Sequence, residues 1–473
     1  MPKRSYELAT DSPEIEAAFT ELRRQLKVTL DFPADVLAEA EHAAQEPRLP
    51  EKDETALPFV TLDPLGSMDL DQAFHIERDG DGYRVRYAIA DVAAFVQPGG
   101  PMDVEAHERG ETLYAPDQNV RLYPPVLSEG AASLLPDETR PAVVWRLDVD
   151  ATGEGSAVHV ERALVRSRAK LDYVSAQQAL DGGTAEAQLR LLREVGILRL
   201  QREERRGGVS LPLPEQVITE KDGEYGLRFR APLPVEGWNA QISLMTGMAG
   251  AELMLGGRVG LLRTVPPADP DRLESLRLMA KELRVEWPKA MTYQSFVRSL
   301  SPVIARQAAL LVEATTLLRG SGYVAFDGEP PEAAVHSALA SAYTHTTAPL
   351  RRLVDRYVGE VCIALSNGTE IPEWARAELP ALPEAMAKSG GRAGQYEAGI
   401  VSIMEAALLA PHVGETFEAI VVELDARRGA TIAIRSPAIR ARCRGDDLPL
   451  GGRVQVRLQE ANVMQRLVRF EKV

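Results

Sequence analysis

The C-terminal part of the chain carries five short segments in which apolar and polar residues alternate. Alternation with a period of two residues is typical of strands that bury one face. Five such strands within about 60 residues predict a small closed barrel of the oligonucleotide-binding type. The segments are TFEAIVVEL, ATIAI, AIRARC, RVQVRL and RLVRFEK, and Gly, Asp and Pro residues separate them.

The preceding residues divide into a strand-rich part and a helical part, which predicts an α+β chain. Residues 59–149 alternate as strands, with a DGDG turn at 79–82, and the polar, proline-containing segment 45–58 is predicted to be a linker. Elsewhere, apolar residues recur at helical spacing. The predicted helices cover 13–27, 31–45, 185–205, 238–262, 271–283, 292–299, 303–319, Pro349 to about 366, and 384–409.

The two N-terminal helices leave two interpretations open. Asp31 is suited to cap the second helix, and Pro33 is suited to its first turn. The pair could form part of a helix-turn-helix. Alternatively, it could be a helical leader that packs on the main domain.

The segment TLDPLGSMDLDQAF, residues 61–74, carries three closely spaced carboxylates. Asp63 ends an apolar strand, and after a Pro- and Gly-containing turn Asp69 and Asp71 lie two residues apart. In an extended segment, residues i and i+2 face the same side. Three neighbouring carboxylates repel one another unless a cation neutralises them. Because the donors are all oxygens, the pattern favours Mg²⁺ or Mn²⁺.

Two other interpretations compete with a metal site in this segment. A calcium-binding loop of the EF-hand type needs twelve residues and a terminal Glu, and the segment lacks this spacing. Solvated turn residues are the commonest fate of Asp beside Gly and Pro. From the spacing alone, the choice between a metal site and solvated aspartates stays open.

Composition limits the class of protein. The 473 residues include 54 Lys plus Arg and 69 Asp plus Glu, a net charge of −15, which argues against a simple nucleic-acid coat protein. The two cysteines, Cys362 and Cys443, are too few for a Cys-based zinc site. The sequence has neither an apolar signal-peptide core nor a run of about 18 apolar residues, so we expect a cytoplasmic protein without a membrane span.

Several motifs, in a fixed order, resemble the RNase II superfamily, whose catalytic part is the RNB domain. The acidic segment, continuing to YAIADVAAFV, is similar to the family signature, an Asp, five residues, and then Asp-x-Asp-Asp-Ala. Three further motifs follow in the family's order, and the resemblance covers roughly 31–473. They are TLYAPDQNVRLYPPVLSEGAASLLPDETRPAVV, RAKLDYVSAQQAL and SAYTHTTAPLRRLVDRYV.

This resemblance implies a domain plan and an activity. Residues 51–410 would be the mixed α/β RNB catalytic domain, 411–473 an S1 domain with the OB fold, and 1–50 a helical N-terminal region. The family consists of processive 3′→5′ exoribonucleases that hydrolyse single-stranded RNA to nucleoside 5′-monophosphates. For this chain it implies a single-stranded RNA 3′ end as partner, Mg²⁺ or Mn²⁺ as cofactor, and a monomer.

The resemblance also assigns the catalytic residues. Asp63, Asp69 and Asp71 match the first three acids and would hold Mg²⁺ at the scissile phosphate, with Asp69 and Asp71 catalytic. Gln72 stands in the position of the fourth acid. Its amide offers a metal ligand without charge, so we expect one metal position to be weak. Arg351 matches the arginine that grips the scissile phosphate.

Other residues match positions that contact RNA in the family. Tyr114 would stack a base distant from the cut and Tyr173 would lie near the 3′-terminal nucleotide, since aromatic rings stack on any base. Arg352 is a second candidate phosphate ligand, and Glu397 aligns with a glutamate near the terminal nucleotide. Leu211 aligns with a second clamping aromatic, so one stacking contact would be lost.

Three hypotheses follow. The first is a Mg²⁺-dependent exoribonuclease, the second an RNA-binding or regulatory protein that has lost catalysis through Gln72, and the third a metal-dependent hydrolase of another substrate. For the first, we predict that Arg and Lys line an enclosed channel ending at the three aspartates, on a protein whose exterior is otherwise acidic.

Overall fold

The computed structural model describes residues 8–9, 12–209, 211, 215–221, 224–425 and 429–473. Its main architectural units are two closed five-stranded barrels, one in each half of the chain, with helices around and between them. Within the described ranges, no helix has the length and apolar character needed to cross a membrane. The predicted mixture of helices and strands is therefore confirmed.

The first barrel surrounds the centre of the main hydrophobic core. Phe74, Tyr87 and Trp145 lie in register on three neighbouring strands, and all three side chains are buried. Neighbouring strands are antiparallel, except that the last strand pairs in parallel with the first and closes the barrel. The strands are β1 (Phe59–Asp63), β2 (Gln72–Asp79), β3 (Gly82–Ala90), β4 (Thr139–Val149) and β5 (Gly155–Asp172).

The two N-terminal helices pack in different cores. Helix α1 (Pro13–Leu26) buries Phe19 in a cluster shared with the C-terminal barrel. Helix α2 (Ala34–Gln45) buries Val36 in the main core around the first barrel. Because the helices of a helix-turn-helix pack on each other, this arrangement favours the interpretation as a packed leader.

Among the described residues, the segment after the first barrel combines helices with three pairs of strands, of which the shortest joins Val335–His336 to Ser341–Ala342. The predicted helix over 238–262 ends earlier, at Gly257, because Arg258 adopts a left-handed conformation with φ of 59°. The apolar residues that follow form a strand instead and bury Leu261 and Leu262. Helix α3 (Pro101–Arg109) precedes this segment and lies between β3 and β4 of the first barrel. The segment itself contains α4 (Tyr173–Asp181), α5 (Ala187–Arg206), β6 (Glu215–Lys221), β7 (Glu224–Arg230), α6 (Pro234–Gly257), β8 (Val259–Thr264) and its partner β9 (Gly322–Asp327).

The remaining helices form a side lobe and the link to the C-terminal barrel. Three of them share a small cluster of their own, around Phe296 and Leu310. The longest helix contributes Met386 to the main core and Ile400 to the cluster of the C-terminal barrel, so it connects the two. The helices are α7 (Pro270–Glu282), α8 (Tyr293–Ser299), α9 (Ala305–Ala314), α10 (Leu353–Asn367), α11 (Glu373–Glu378) and α12 (Leu382–Leu409).

The C-terminal barrel confirms the prediction from strand periodicity. Every second residue of its strands points inward, and Ile432, Val456, Leu458 and Phe470 are buried at its centre. One parallel strand pair, with Arg442 beside Arg469, closes it. The strands are β10 (Thr416–Asp425), β11 (Gly429–Ile434), β12 (Ile439–Arg444), β13 (Arg453–Asn462) and β14 (Leu467–Lys472).

Candidate active site

The acidic segment forms the loop between β1 and β2, and Ser133 fixes its shape. The Leu70 amide donates to Ser133 Oγ at 3.0 Å, and Ser133 Oγ donates to the Met68 carbonyl at 2.6 Å. The Leu134 amide also donates to the Leu70 carbonyl at 3.0 Å. Leu70 is therefore buried between Asp69 and Asp71, which flank it. Ser133 was not predicted as a site residue, because nothing in the sequence links it to acids more than 60 residues earlier.

Asp71 is buried and bound to the loop that carries Arg351. Its Oδ1 accepts the Leu350 amide at 2.7 Å, and its Oδ2 accepts Arg351 Nε at 3.1 Å. Burial raises the pKa of Asp71 to about 8, although Arg351 opposes this rise. Two of the predicted catalytic residues, 280 positions apart, thus meet directly.

Asp63 and Asp69 meet different partners. Burial raises the pKa of Asp63 to about 6, and its Oδ2 is buried without a hydrogen-bond partner. Asp69 Oδ2 accepts the Tyr114 hydroxyl at 3.2 Å. The Asp69 charge raises the pKa of both other aspartates, so the three carboxylates act on one another electrostatically.

These carboxylates partly fit a hard divalent cation. The donor set is oxygen only, and the unpartnered Asp63 oxygen has the unmet charge that a cation would neutralise. However, across the described ranges, no three or more His, Cys, Asp or Glu side chains are grouped closely enough to hold a metal ion. Both Asp71 oxygens already accept hydrogen bonds. The residues present therefore supply suitable ligands, but they do not form a complete coordination shell.

Gln72 has a contact that its predicted metal role did not anticipate. Its Nε2 donates to the Thr347 carbonyl, in the loop just before Arg351. A carboxylate at this position would be unable to donate this bond. Gln72 therefore links the acidic loop to the arginine loop.

Arg351 and Arg352 differ in how they are engaged. Asp355 accepts hydrogen bonds from both Nε and Nη2 of Arg352 and also from the Ala348 amide, which fixes the loop. The Arg352 side chain is 17% exposed, whereas that of Arg351 is 43% exposed. Arg351 is therefore the arginine that is free to reach a ligand, and Arg352 is held by Asp355.

A cavity of about 800 Å³ opens in front of this arginine pair. Leu65 of the acidic loop, the loop that carries Tyr114 (residues 111–119), the β6–β7 hairpin and α12 form its walls. The three aspartates lie behind Arg351 and are not part of the described lining. Tyr114 is half exposed on one wall. The cavity thus collects side chains from five parts of the chain that are distant in sequence. Its lining includes Leu65, Tyr114, Ile218, Tyr225, Arg351 and Glu397.

The cavity lining differs from the predicted basic channel. Its charged residues, among those described, are Arg351 and Arg352 together with Glu111 and Glu397, so the charges balance. Aromatic and aliphatic side chains form most of the remaining surface, which suits bases better than phosphates. The prediction that Arg and Lys line the channel is therefore wrong for this cavity.

Two predicted RNA contacts lie away from the lining of this cavity. Tyr173 begins α4, where its hydroxyl accepts Asn239 Nδ2 at 3.2 Å, and its ring is half-buried. Leu211 packs with the side lobe of α7–α9, and Ile218 of the β6–β7 hairpin lines the cavity instead. Leu211 is therefore not among the residues that line this cavity, where a clamping side chain would be expected.

The fold and this site define a two-barrel protein with an acidic loop facing an arginine loop, and comparison with known proteins identifies the family. The RNB domain matches residues 51–365, and the RNase II-type exonuclease C-terminal S1 domain matches residues 415–473. The chain belongs to the RNB-domain family. Members of this family are generally dependent on a divalent metal.

Relatives named Ribonuclease R share this part of their sequence. The chain is 27% identical over 424 residues to Ribonuclease R of Aquifex aeolicus, covering 84% of this chain and 59% of that protein. It is 29% identical over 335 residues to Ribonuclease R of Escherichia coli, covering 67% and 40%. The chain therefore spans about half the length of the curated relatives it matches.

Two solved structures share the fold. The apo form of Mycoplasma genitalium RNase R matches with a TM-score of 0.85 at 18% identity, covering 98% of this chain and 78% of that one. Yeast Ssd1, described as a pseudonuclease, matches with a TM-score of 0.71 at 16% identity, covering 95% and 57%. At these identities the matches show the fold alone.

Proposed function

We propose that the chain is an exoribonuclease that degrades single-stranded RNA from its 3′ end and releases nucleoside 5′-monophosphates. The observation that carries the proposal is the direct contact of Asp71 with Arg351 beside a cavity large enough for a nucleotide. An RNB-domain protein needs both groups at one phosphate, because the acids hold a cation and the guanidinium binds phosphate oxygens. We also propose that it acts as a cytoplasmic monomer.

Mg²⁺ is the proposed cofactor, with Asp63, Asp69 and Asp71 as its ligands. When bound, the ion neutralises phosphate charge and lowers the pKa of the attacking water. The unpartnered oxygen of Asp63 supports this role. Gln72 adds no charge to the site, so we expect weaker binding of any second ion.

The remaining residues would position the RNA. Arg351, held by Asp71, offers a guanidinium to the scissile phosphate. The half-exposed Tyr114 offers a ring to a base, and its hydroxyl bond to Asp69 ties that ring to the acidic loop. Glu397 is exposed on the opposite wall and is proposed as an acceptor for hydroxyls of the terminal nucleotide.

A catalytically impaired RNA-binding protein is the second candidate. Gln72 in place of an acid and the engagement of both Asp71 oxygens favour it. The fold match to a pseudonuclease is compatible with it. Both candidates bind RNA, so only the release of products separates them.

Two labelled substrates test the proposal. Poly(A) labelled at its 3′ end should release a labelled mononucleotide at once in Mg²⁺, while the same RNA labelled at its 5′ end should shorten progressively. The Asp71→Asn variant should abolish both. Asp81→Asn, at an exposed turn of the same barrel, is the matched control and should behave as wild type. Tight RNA binding by the wild-type protein with no product would exclude the exoribonuclease and support the second candidate.

A further inference from the structure

The loop that carries Tyr114 is held at both ends: backbone hydrogen bonds close its base, and an ion pair fixes its tip. Leu113 and Val120 exchange two backbone hydrogen bonds, at 2.9 and 2.8 Å, and both side chains are buried. At the tip, Asp117 Oδ1 and Oδ2 accept hydrogen bonds from Arg23 Nη2 at 2.6 and 2.7 Å. The loop therefore depends on a residue of α1 for the position of its free end.

Arg23 also contacts the opposite wall of the cavity. Its Nε donates to the Tyr396 hydroxyl at 3.0 Å. Tyr396 lines the cavity from α12, immediately before Glu397. A guanidinium is planar and its donors have fixed directions. One nearly buried side chain, 9% exposed, thus holds the Tyr114 loop and α12 at a fixed separation.

Helix α1 is fixed by close packing, so the backbone that carries Arg23 is held in place. Leu22 packs so closely on α12 that a Cβ at Gly399 would lie 2.7 Å from its Cδ1. Gln25 accepts a hydrogen bond from Arg466 of the C-terminal barrel at 2.7 Å. Phe19 is buried in the cluster that the barrel shares with α12. The position of Arg23 is therefore set by the C-terminal half of the protein.

We propose that Arg23 is a positioning residue of the RNA cavity. Through its hydrogen bonds to Asp117 and Tyr396, it holds Tyr114 where the ring can stack on an RNA base. The N-terminal helix then serves RNA binding from within the core, without touching RNA itself. The inference rests on the proposed function, because it takes Tyr114 as an RNA contact, but it does not require catalysis.

RNA affinity without turnover is the direct test. Binding of a 5′-fluorescein oligo(A) is measured by anisotropy in EDTA for Arg23→Met and Arg24→Met. Arg24 is the matched control, since its side chain is 72% exposed and pairs with Glu21 on the same helix. Arg23→Met should weaken binding about tenfold, on the order of one lost base stack, and Arg24→Met should change it less than twofold.

A double variant with Tyr114 distinguishes positioning of Tyr114 from a purely structural role of Arg23. In a Tyr114→Ala background, Arg23→Met should cause no further loss of affinity. The Asp117→Ala variant leaves α1 intact, removes both acceptor oxygens of Arg23, and should reproduce the loss if Arg23→Met fails to fold. Equal losses in both Tyr114 backgrounds, or wild-type affinity in a folded Asp117→Ala protein, would overturn the inference. Absence of RNA binding by the wild-type protein would instead refute the proposed function.

Discussion

Arg351 and Arg352 are consecutive residues for which the structure predicts opposite effects of substitution. Asp355 is 2% exposed and holds the Arg352 guanidinium through two donors. Arg352→Met would leave this carboxylate buried with the Ala348 amide as its remaining partner. Breaking a buried ion pair by removing one member costs about 3–5 kcal/mol. The Arg352→Met variant should therefore lose that much unfolding free energy.

Arg351→Met should affect catalysis and leave stability nearly unchanged. The Arg351 side chain is 43% exposed but its partner Asp71 is buried, so the cost of the substitution depends on whether Asp71 is left as an unpaired charge. Asp71 need not stay as an unpaired charge, because burial raises its pKa to about 8 and it can take a proton. Losing a donor aimed at developing charge typically lowers kcat about 10²–10³-fold.

Urea unfolding followed by tryptophan fluorescence gives the stability of each variant, and single-turnover cleavage of saturating poly(A) gives the rate. The expected pattern is a stable, slow Arg351→Met protein and a destabilised Arg352→Met protein. The reasoning is refuted if Arg352→Met unfolds within about 1 kcal/mol of wild type, or if Arg351→Met keeps the wild-type rate.

Three further outcomes are expected. Ser133→Ala should lower the free energy of unfolding by about 1–3 kcal/mol, because the Leu70 amide loses its buried acceptor, and urea titration measures this. The Mg²⁺ concentration for half-maximal cleavage should fall as the pH is raised from about 6 to about 8. The reason is that Mg²⁺ must displace protons from Asp63 and Asp71, whose pKa values burial raises to about 6 and about 8. The same Mg²⁺ concentration at every pH would contradict this. Burial also raises the pKa of Glu405 above its ordinary value of 4.5, so the folded state binds this proton more tightly than the unfolded state does. This contribution to stability is lost as pH rises through the raised pKa, so the free energy of unfolding of Glu405→Gln, measured by urea titration, should fall less steeply with rising pH above 4.5 than that of the wild type.

The sequence predicted those parts of the fold and site that are local in the chain. The period-two segments of the tail became the C-terminal barrel, because alternation depends only on each strand and its buried face. The spacing of Asp63, Asp69 and Asp71 likewise lies within one loop. The helix predicted to reach residue 262 failed where pairing was non-local, since β8 needs β9 as its partner.

The other differences depend on the three-dimensional arrangement of side chains. Asp355 lies three residues after Arg352 and four after Arg351, so the sequence allows it to pair with either arginine, and the structure places it against Arg352. Similarly, Gln72 was judged by the acid it replaces, whereas its Thr347 contact is made 275 residues away. Such assignments require the tertiary arrangement, which a single sequence does not show.

The balanced charge of the cavity means that attraction of RNA to this acidic chain must arise elsewhere. Strand β12 of the C-terminal barrel presents Arg440, Arg442 and Arg444 on its exposed face, where alternation places them together. Each phosphate contact contributes about 0.7 to the slope of log affinity against log salt for single strands. Replacing Arg442 and Arg444 by Gln should therefore reduce that slope by about 1.4, as measured by anisotropy at several salt concentrations. Replacing Arg258 and Arg376, which lie outside the barrel and hydrogen-bond at the protein surface, should leave the slope unchanged. Equal reductions in both variants would mean that the attraction is spread over the whole surface and not concentrated on the barrel.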